Sequence, residues 1–103
     1  MKRGDVVLVD LGYAAKVRPA AAVSIEKADS QRNMSVIAPI TTEIRGGQCE
    51  VRFPKPPWLL QPSVVNLLGI VGVDNAKIQR VLGPFPSKEL GDIDNGLRRM
   101  LKL

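Results

Sequence analysis

No histidine occurs in the chain of 103 residues, and its one cysteine, Cys49, has no partner. The first absence removes the commonest general acid–base and the commonest transition-metal ligand. The second excludes an internal disulfide and any cysteine-built metal cluster. Aromatic residues are scarce, with two Phe, one Tyr and one Trp. The core must therefore be built from Val, Leu, Ile and Ala. No apolar run approaches the roughly 18 residues that span a bilayer. No apolar stretch near the opening Met1-Lys2-Arg3-Gly4-Asp5 resembles a signal peptide. Both absences point to a cytoplasmic protein without a membrane segment. No low-complexity tract, linker or internal repeat breaks the chain, so residues 1–103 are expected to form one domain.

What the chain does have is positive charge and β-forming sequence. A net charge of +5 and a pI near 9.8 favour acidic partners, nucleic acid first among them. Val6 to Leu11 reads as a first strand, followed by a short loop from Gly12 to Val17 that carries Tyr13 and Lys16. A second strand is expected from Arg18 to about Ile25, and a third from Met34 to Ile40, ending or lying at an edge at Pro39. The polar stretch between them, Glu26 to Asn33, suits a helical turn. Cys49–Phe53, Ser63–Leu67, Ile70–Asp74 and Ile78–Leu82 read as further short strands, with Gly69 at a bulge or bend. Pro54 to Pro62 reads as a stiff surface loop with Trp58 tucked beneath it; a proline ligand for an aromatic groove is the other reading. Leu90, Ile93, Leu97 and Leu101 recur at helical spacing, with Met100 widening the stripe. Ser87 is the expected N-cap of this closing helix. Gly91 and Gly96 fall off the apolar stripe, and Glu89, Asp92 and Asp94 precede Arg98, Arg99 and Lys102 in the sense that suits the helix dipole. Many short strands and one helix predict a mainly β fold, a small partly open barrel with a C-terminal α-helix.

With histidine absent, chemistry falls to arginine, lysine, hydroxyls and carboxylates. Arg18 stands directly before Pro19, which holds its backbone extended. Its guanidinium is a planar fork of donors suited to phosphate, and on its own it would equally serve a surface ion pair. Thr41 and Thr42 leave the third strand, where their hydroxyls also suit turn chemistry. If the second and third strands pair antiparallel, the start of one lies beside the end of the next. Arg18 and Thr41 then share one rim.

Several segments, taken in order, resemble the MazF/PemK (Kid) family of toxin endoribonucleases. They are Lys2-Arg3-Gly4-Asp5-Val6-Val7-Leu8-Val9-Asp10-Leu11, Arg18-Pro19-Ala20, Ala38-Pro39-Ile40-Thr41-Thr42, Ser63-Val64-Val65-Asn66-Leu67, and Val73-Asp74 leading to Ile78. The resemblance covers nearly the whole chain. It implies an SH3-like barrel of the CcdB/PemK type, a homodimer, and sequence-specific cleavage of single-stranded RNA with no metal and no cofactor. It also implies neutralisation by a small acidic antitoxin. The family's catalytic arginine falls on Arg18 and its catalytic hydroxyl on Thr41. The nucleophile is then the RNA 2′-hydroxyl and the product end a 2′,3′-cyclic phosphate, with a backbone carbonyl, water or Asp10 open as proton acceptor. Lys16, Tyr13 and Thr42 are the expected RNA contacts, Lys16 toward phosphate and Tyr13 by stacking. The chain departs from many members in its short first loop and in the apolar run Leu67 to Gly72, where a polar Gln is common. The apolar run suits the alternative reading, a non-catalytic barrel that binds RNA or a protein partner; a CcdB-like topoisomerase inhibitor is a further alternative, which Arg18-Pro19 and Thr41 do not resemble.

Overall fold

A computed structural model describes residues 1–12, 17–26 and 31–103. Among these residues the chain forms β1 (Asp5–Asp10), β2 (Val17–Ala22), β3 (Met34–Thr41), β4 (Glu50–Arg52) and β5 (Val64–Asn66). A 3-10 turn (Leu67–Gly69), β6 (Val71–Asp74), a second 3-10 turn (Asn75–Lys77), β7 (Ile78–Pro84) and α1 (Ser87–Leu101) complete it. The expected Tyr13 and Lys16 contacts, and residues 27–30 of the expected helical turn, lie outside the described residues. The strands run antiparallel in the order β4-β5-β3-β2-β1-β7, with β6 also on β3. The fold is mainly β with one C-terminal helix, as the sequence implied.

Successive side chains of a strand point to opposite faces of the sheet, and β1 is buried on both. Val6 joins a larger core with Ala21, Ala38, Ile40, Val51, Val65, Leu67, Phe85 and Ile93. Val7 and Val9 join a smaller one with Ala20 and Ile37. A strand covered on both sides reads as an unbroken apolar run rather than an alternation, which is how 6–9 reads. Fully burying one such Val or Ile contributes about 1.5–3 kcal/mol.

The central strand is β3. One edge pairs with β2 through Ala20↔Pro39, Ala21↔Ala38 and Ala22↔Ile37. The other edge pairs with β6 at Met34–Ile37 and with β5 at Ile40 and Thr41. Pro39 thus neither ends the strand nor lies at an edge of the sheet. It sits where β6 gives over to β5, a place where its missing N–H disrupts no continuous ladder. The chain crosses between those two strands in the Leu67–Gly69 turn. A Cβ on Gly69 would stand 3.0 Å from the Pro39 ring, so the close approach requires glycine there.

Other boundaries also differ from expectation. The second strand stops at Ala22, because the Ser24 hydroxyl accepts the Val36 N–H (2.9 Å) and the chain turns away, leaving Ile25 exposed. The helix has Pro86 at its N-cap position with no side-chain cap, so Ser87 is its first residue and not its cap. Asp94 lies mid-helix and pairs with Arg3, which also donates to the Val23 carbonyl (3.1 Å) and so ties the helix to the start of β1. Leu101 is half exposed.

Gly96 faces the core. It is buried, and a Cβ there would stand 2.5 Å from Cδ1 of Leu67, itself fully buried. Periodicity of apolar residues does not register a glycine whose role is to admit a neighbour. Gly91, on the same helix, is exposed with open space around its Cα. Opposite effects are therefore expected from one substitution. Gly91→Ala should raise stability by up to about 1 kcal/mol through helix propensity. Gly96→Ala should lower it, because overpacking costs roughly 1–3 kcal/mol and outweighs that gain. Denaturant or thermal unfolding of the two variants checks the signs.

Candidate active site

Arg18 is the second residue of β2 and stands opposite Val9 of β1. Its side chain is exposed and, among the described residues, makes no hydrogen bond or ion pair. Thr41 ends β3, opposite Val64 of β5. The Ala20↔Pro39 register, followed two residues further toward the end of β3, brings Thr41 level with Arg18. Arg18, Thr41 and Thr42 all line one groove of about 1040 Å³. The antiparallel pairing assumed from sequence is present, and it brings these three residues together.

The turn chemistry expected of Thr41 is also present. Its Oγ1 accepts the Glu43 backbone N–H at 3.0 Å. That bond uses a lone pair, so the hydroxyl hydrogen stays available to donate. Thr42 is exposed beside it. The arrangement offers an anionic ligand a guanidinium fork and a hydroxyl donor from neighbouring strand ends.

A further wall of the groove is Trp58, Leu59, Leu60 and Gln61. It is stiff for local reasons. Four prolines (Pro54, Pro56, Pro57 and Pro62) limit its backbone. The Lys55 ammonium donates to the Leu59 carbonyl (2.8 Å) and the Leu59 N–H to the Pro56 carbonyl (3.1 Å). Trp58 is half-buried, packed against the larger core, so one part is anchored while the residue still lines the groove. Leu60 at the tip is 94% exposed. Sequence reasoning placed Trp58 under its loop but not beside Arg18, because the loop is some forty residues away in the chain. The signal was a lone Trp in a proline-rich stretch of a chain poor in aromatics.

The acidic groups sort by what holds them. Asp10, one of the proton acceptors left open by sequence, does not line the groove; its Oδ1 accepts the Gly12 N–H at 2.8 Å. Glu43 is the one carboxylate lining the groove among the described residues. Its Oε1 pairs with the Arg45 guanidinium. The carboxylate of Glu50 on β4 accepts the backbone N–H groups of Arg45 (3.1 and 3.2 Å) and Gly46 (2.8 Å), fixing the loop that carries Glu43. None of residues 67–72, where the sequence departs from its resemblance, lines the groove; Leu67 is in the core and Leu68 points to solvent. No helix among the described residues is long and apolar enough to cross a membrane.

Comparison with known proteins agrees with this fold. The profile of the PemK-like, MazF-like toxins of type II toxin–antitoxin systems matches residues 2–101. Endoribonuclease MazF6 of Mycobacterium tuberculosis is 28% identical over 112 residues, covering 100% of this chain and 98% of its own. Endoribonuclease MazF2 of Mycobacterium bovis matches to the same extent, 28% over 112 residues. Among solved structures, the Mycobacterium tuberculosis toxin MazF-mt6 superposes with a TM-score of 0.83 at 23% identity, over 96% of this chain and 97% of that one. A mycobacterial endoribonuclease in complex with its cognate antitoxin gives 0.83 at 24% identity, over 100% and 96%. A MazE–MazF complex from Deinococcus radiodurans gives 0.80 at 20% identity, over 100% and 96%. These likenesses establish the fold, and the profile match over nearly the whole chain establishes the lineage: the chain belongs to the PemK-like, MazF-like toxin family of type II toxin–antitoxin systems.

Proposed function

We propose that this protein is a toxin endoribonuclease that cleaves single-stranded RNA in the groove, with Arg18 and Thr41 as its catalytic pair. The observation that carries the reading is an exposed guanidinium, unpaired among the described residues, level with a hydroxyl donor in one groove. The substrate supplies its own nucleophile, the ribose 2′-hydroxyl, so neither a histidine nor a resident cofactor is required. The 2′-oxygen attacks phosphorus in line, the bond to the 5′-oxygen breaks, and the products are a 2′,3′-cyclic phosphate and a 5′-hydroxyl. Arg18 donates to the non-bridging oxygens as charge builds on the phosphorane, and Thr41 adds one more hydrogen bond. Such preorganised donors act mainly by electrostatic stabilisation of the transition state. Thr42 lies where it meets the sugar–phosphate chain, and Trp58 offers a ring on which a base stacks.

The relatives add the biological setting. A structurally similar mycobacterial endoribonuclease forms a complex with its cognate antitoxin, and the Deinococcus radiodurans MazF one with MazE; in this reading a small acidic antitoxin segment occupies the same groove and displaces RNA. The protein acts in the cytoplasm as a homodimer and as a single domain spanning 1–103. Pairing of two copies would cover edge strands that a barrel this small leaves open.

Arg18→Ala should leave the fold intact, since the side chain is exposed and makes no bond among the described residues. It should slow RNA cleavage by about 10²–10³-fold, the usual effect of losing one such donor. Unfolding curves and single-turnover cleavage measure both; an unchanged rate removes the mechanism. Trp58→Leu should weaken binding of an uncleavable 2′-deoxy oligonucleotide by roughly 1–3 kcal/mol if a base stacks on the ring, read by titration of Arg18→Ala protein carrying the second change.

A further inference from the structure

We infer that Glu43 is the proton acceptor for the RNA 2′-hydroxyl. The inference rests on the nuclease reading above and names a group that reading leaves open. The reaction must remove a proton as the 2′-oxygen attacks phosphorus. In a chain without histidine the acceptor is a carboxylate, water or a backbone carbonyl. Asp10 accepts the Gly12 amide through Oδ1 and, unlike Glu43, does not line the groove. Glu43 lines the groove with Arg18 and Thr41.

Three features of its placement fit the role. The Glu43 amide donates to Thr41 Oγ1, so the hydroxyl that donates to phosphate and the carboxylate that takes the proton belong to one tight turn. The loop behind it is held by Glu50, through the amides of Arg45 and Gly46. The Arg45 guanidinium engages Oε1 only, leaving Oε2 without a partner among the described residues. Arg45 also offsets the repulsion an isolated carboxylate would exert on the RNA backbone. Among the described residues, the charged groups these contacts place around Glu43 are Arg45 paired with it, Arg18 in the same groove, and Glu50 turned toward the loop amides.

The step balances. Glu43 Oε2 takes the 2′-hydroxyl proton, the 2′-oxygen forms its bond to phosphorus, and the bond from phosphorus to the 5′-oxygen breaks. The leaving oxygen takes a proton from water, and Glu43 returns its own to solvent. No oxidant, metal or further reactant enters.

The test is Glu43→Gln in the full chain, on an RNA oligonucleotide cleaved by the wild type. The side chain is solvent-exposed, so folding should survive. Single-turnover cleavage should fall by about 100-fold or more, the usual contribution of a positioned base. The remaining rate should rise about tenfold per pH unit, as hydroxide replaces the lost acceptor, a steeper dependence than that of the wild type. Affinity for the same oligonucleotide with 2′-deoxyribose at the cleaved position should be unchanged or tighter. Cleavage within a few-fold of wild type overturns the assignment. So does a loss of rate that keeps the wild-type pH profile, or one matched by an equal loss of affinity, since either marks a structural role for the loop. A wild type that cleaves no RNA overturns the nuclease reading itself and the base with it, whereas an active wild type with an active Glu43→Gln removes the base alone.

Discussion

The register of three antiparallel strands governs the rest of the molecule. β1 fixes β2 through Val9↔Arg18, and β2 fixes β3 through Ala20↔Pro39. A slip of one residue in either ladder would turn Arg18 to the other face of the sheet and separate it from Thr41. Such a slip would also move Val7, Val9 and the alanines out of two cores that bury them completely. The same apolar contacts that stabilise the sheet therefore hold the guanidinium and the hydroxyl level with each other. Stability and site geometry have one cause.

β3 carries a second constraint. It serves β2 on one edge and two partners in succession on the other. The change of partner bends the sheet around the core and places β5, and the loop that leads into it, beside the end of β3. That loop brings Trp58 and Gln61 to the groove. Pro39 and Gly69 are the residues at the change of partner, one without an N–H and one without a side chain. Helix α1 closes the larger core from below through Ile93 and the bare backbone at Gly96. The groove thus gathers a strand start, a strand end, a fixed acidic turn and a rigid loop.

How much of this the sequence carries depends on the range of the interaction. Arg18 and Thr41 could be paired from sequence because they bracket two consecutive strands, and consecutive antiparallel strands return the chain to its starting rim. Arg18-Pro19 also marks its own backbone geometry. Trp58 and Glu43 could not be placed in the same way. Trp58 reaches the groove through a loop whose course depends on β4 and β5, and Glu43 is oriented by Glu50 on another strand. Gly96 faces the core although the sequence puts it off the stripe, because a helical stripe is drawn from large apolar residues and a glycine that seats Leu67 is silent in it. A proline suggests a strand end or an edge because it lacks a ladder N–H; at Pro39 that gap falls between two successive partners, so the strand runs on.

The central claim is that one phosphate of a single-stranded RNA sits between the Arg18 guanidinium and the Thr41 hydroxyl. The most direct measurement is a crystal structure of the protein with an RNA oligonucleotide carrying 2′-deoxyribose at the cleaved position, so that binding occurs without turnover. The account expects the scissile phosphate to have non-bridging oxygens within about 2.7–3.2 Å of both groups. A phosphate bound elsewhere, with Arg18 and Thr41 still facing solvent, would contradict it.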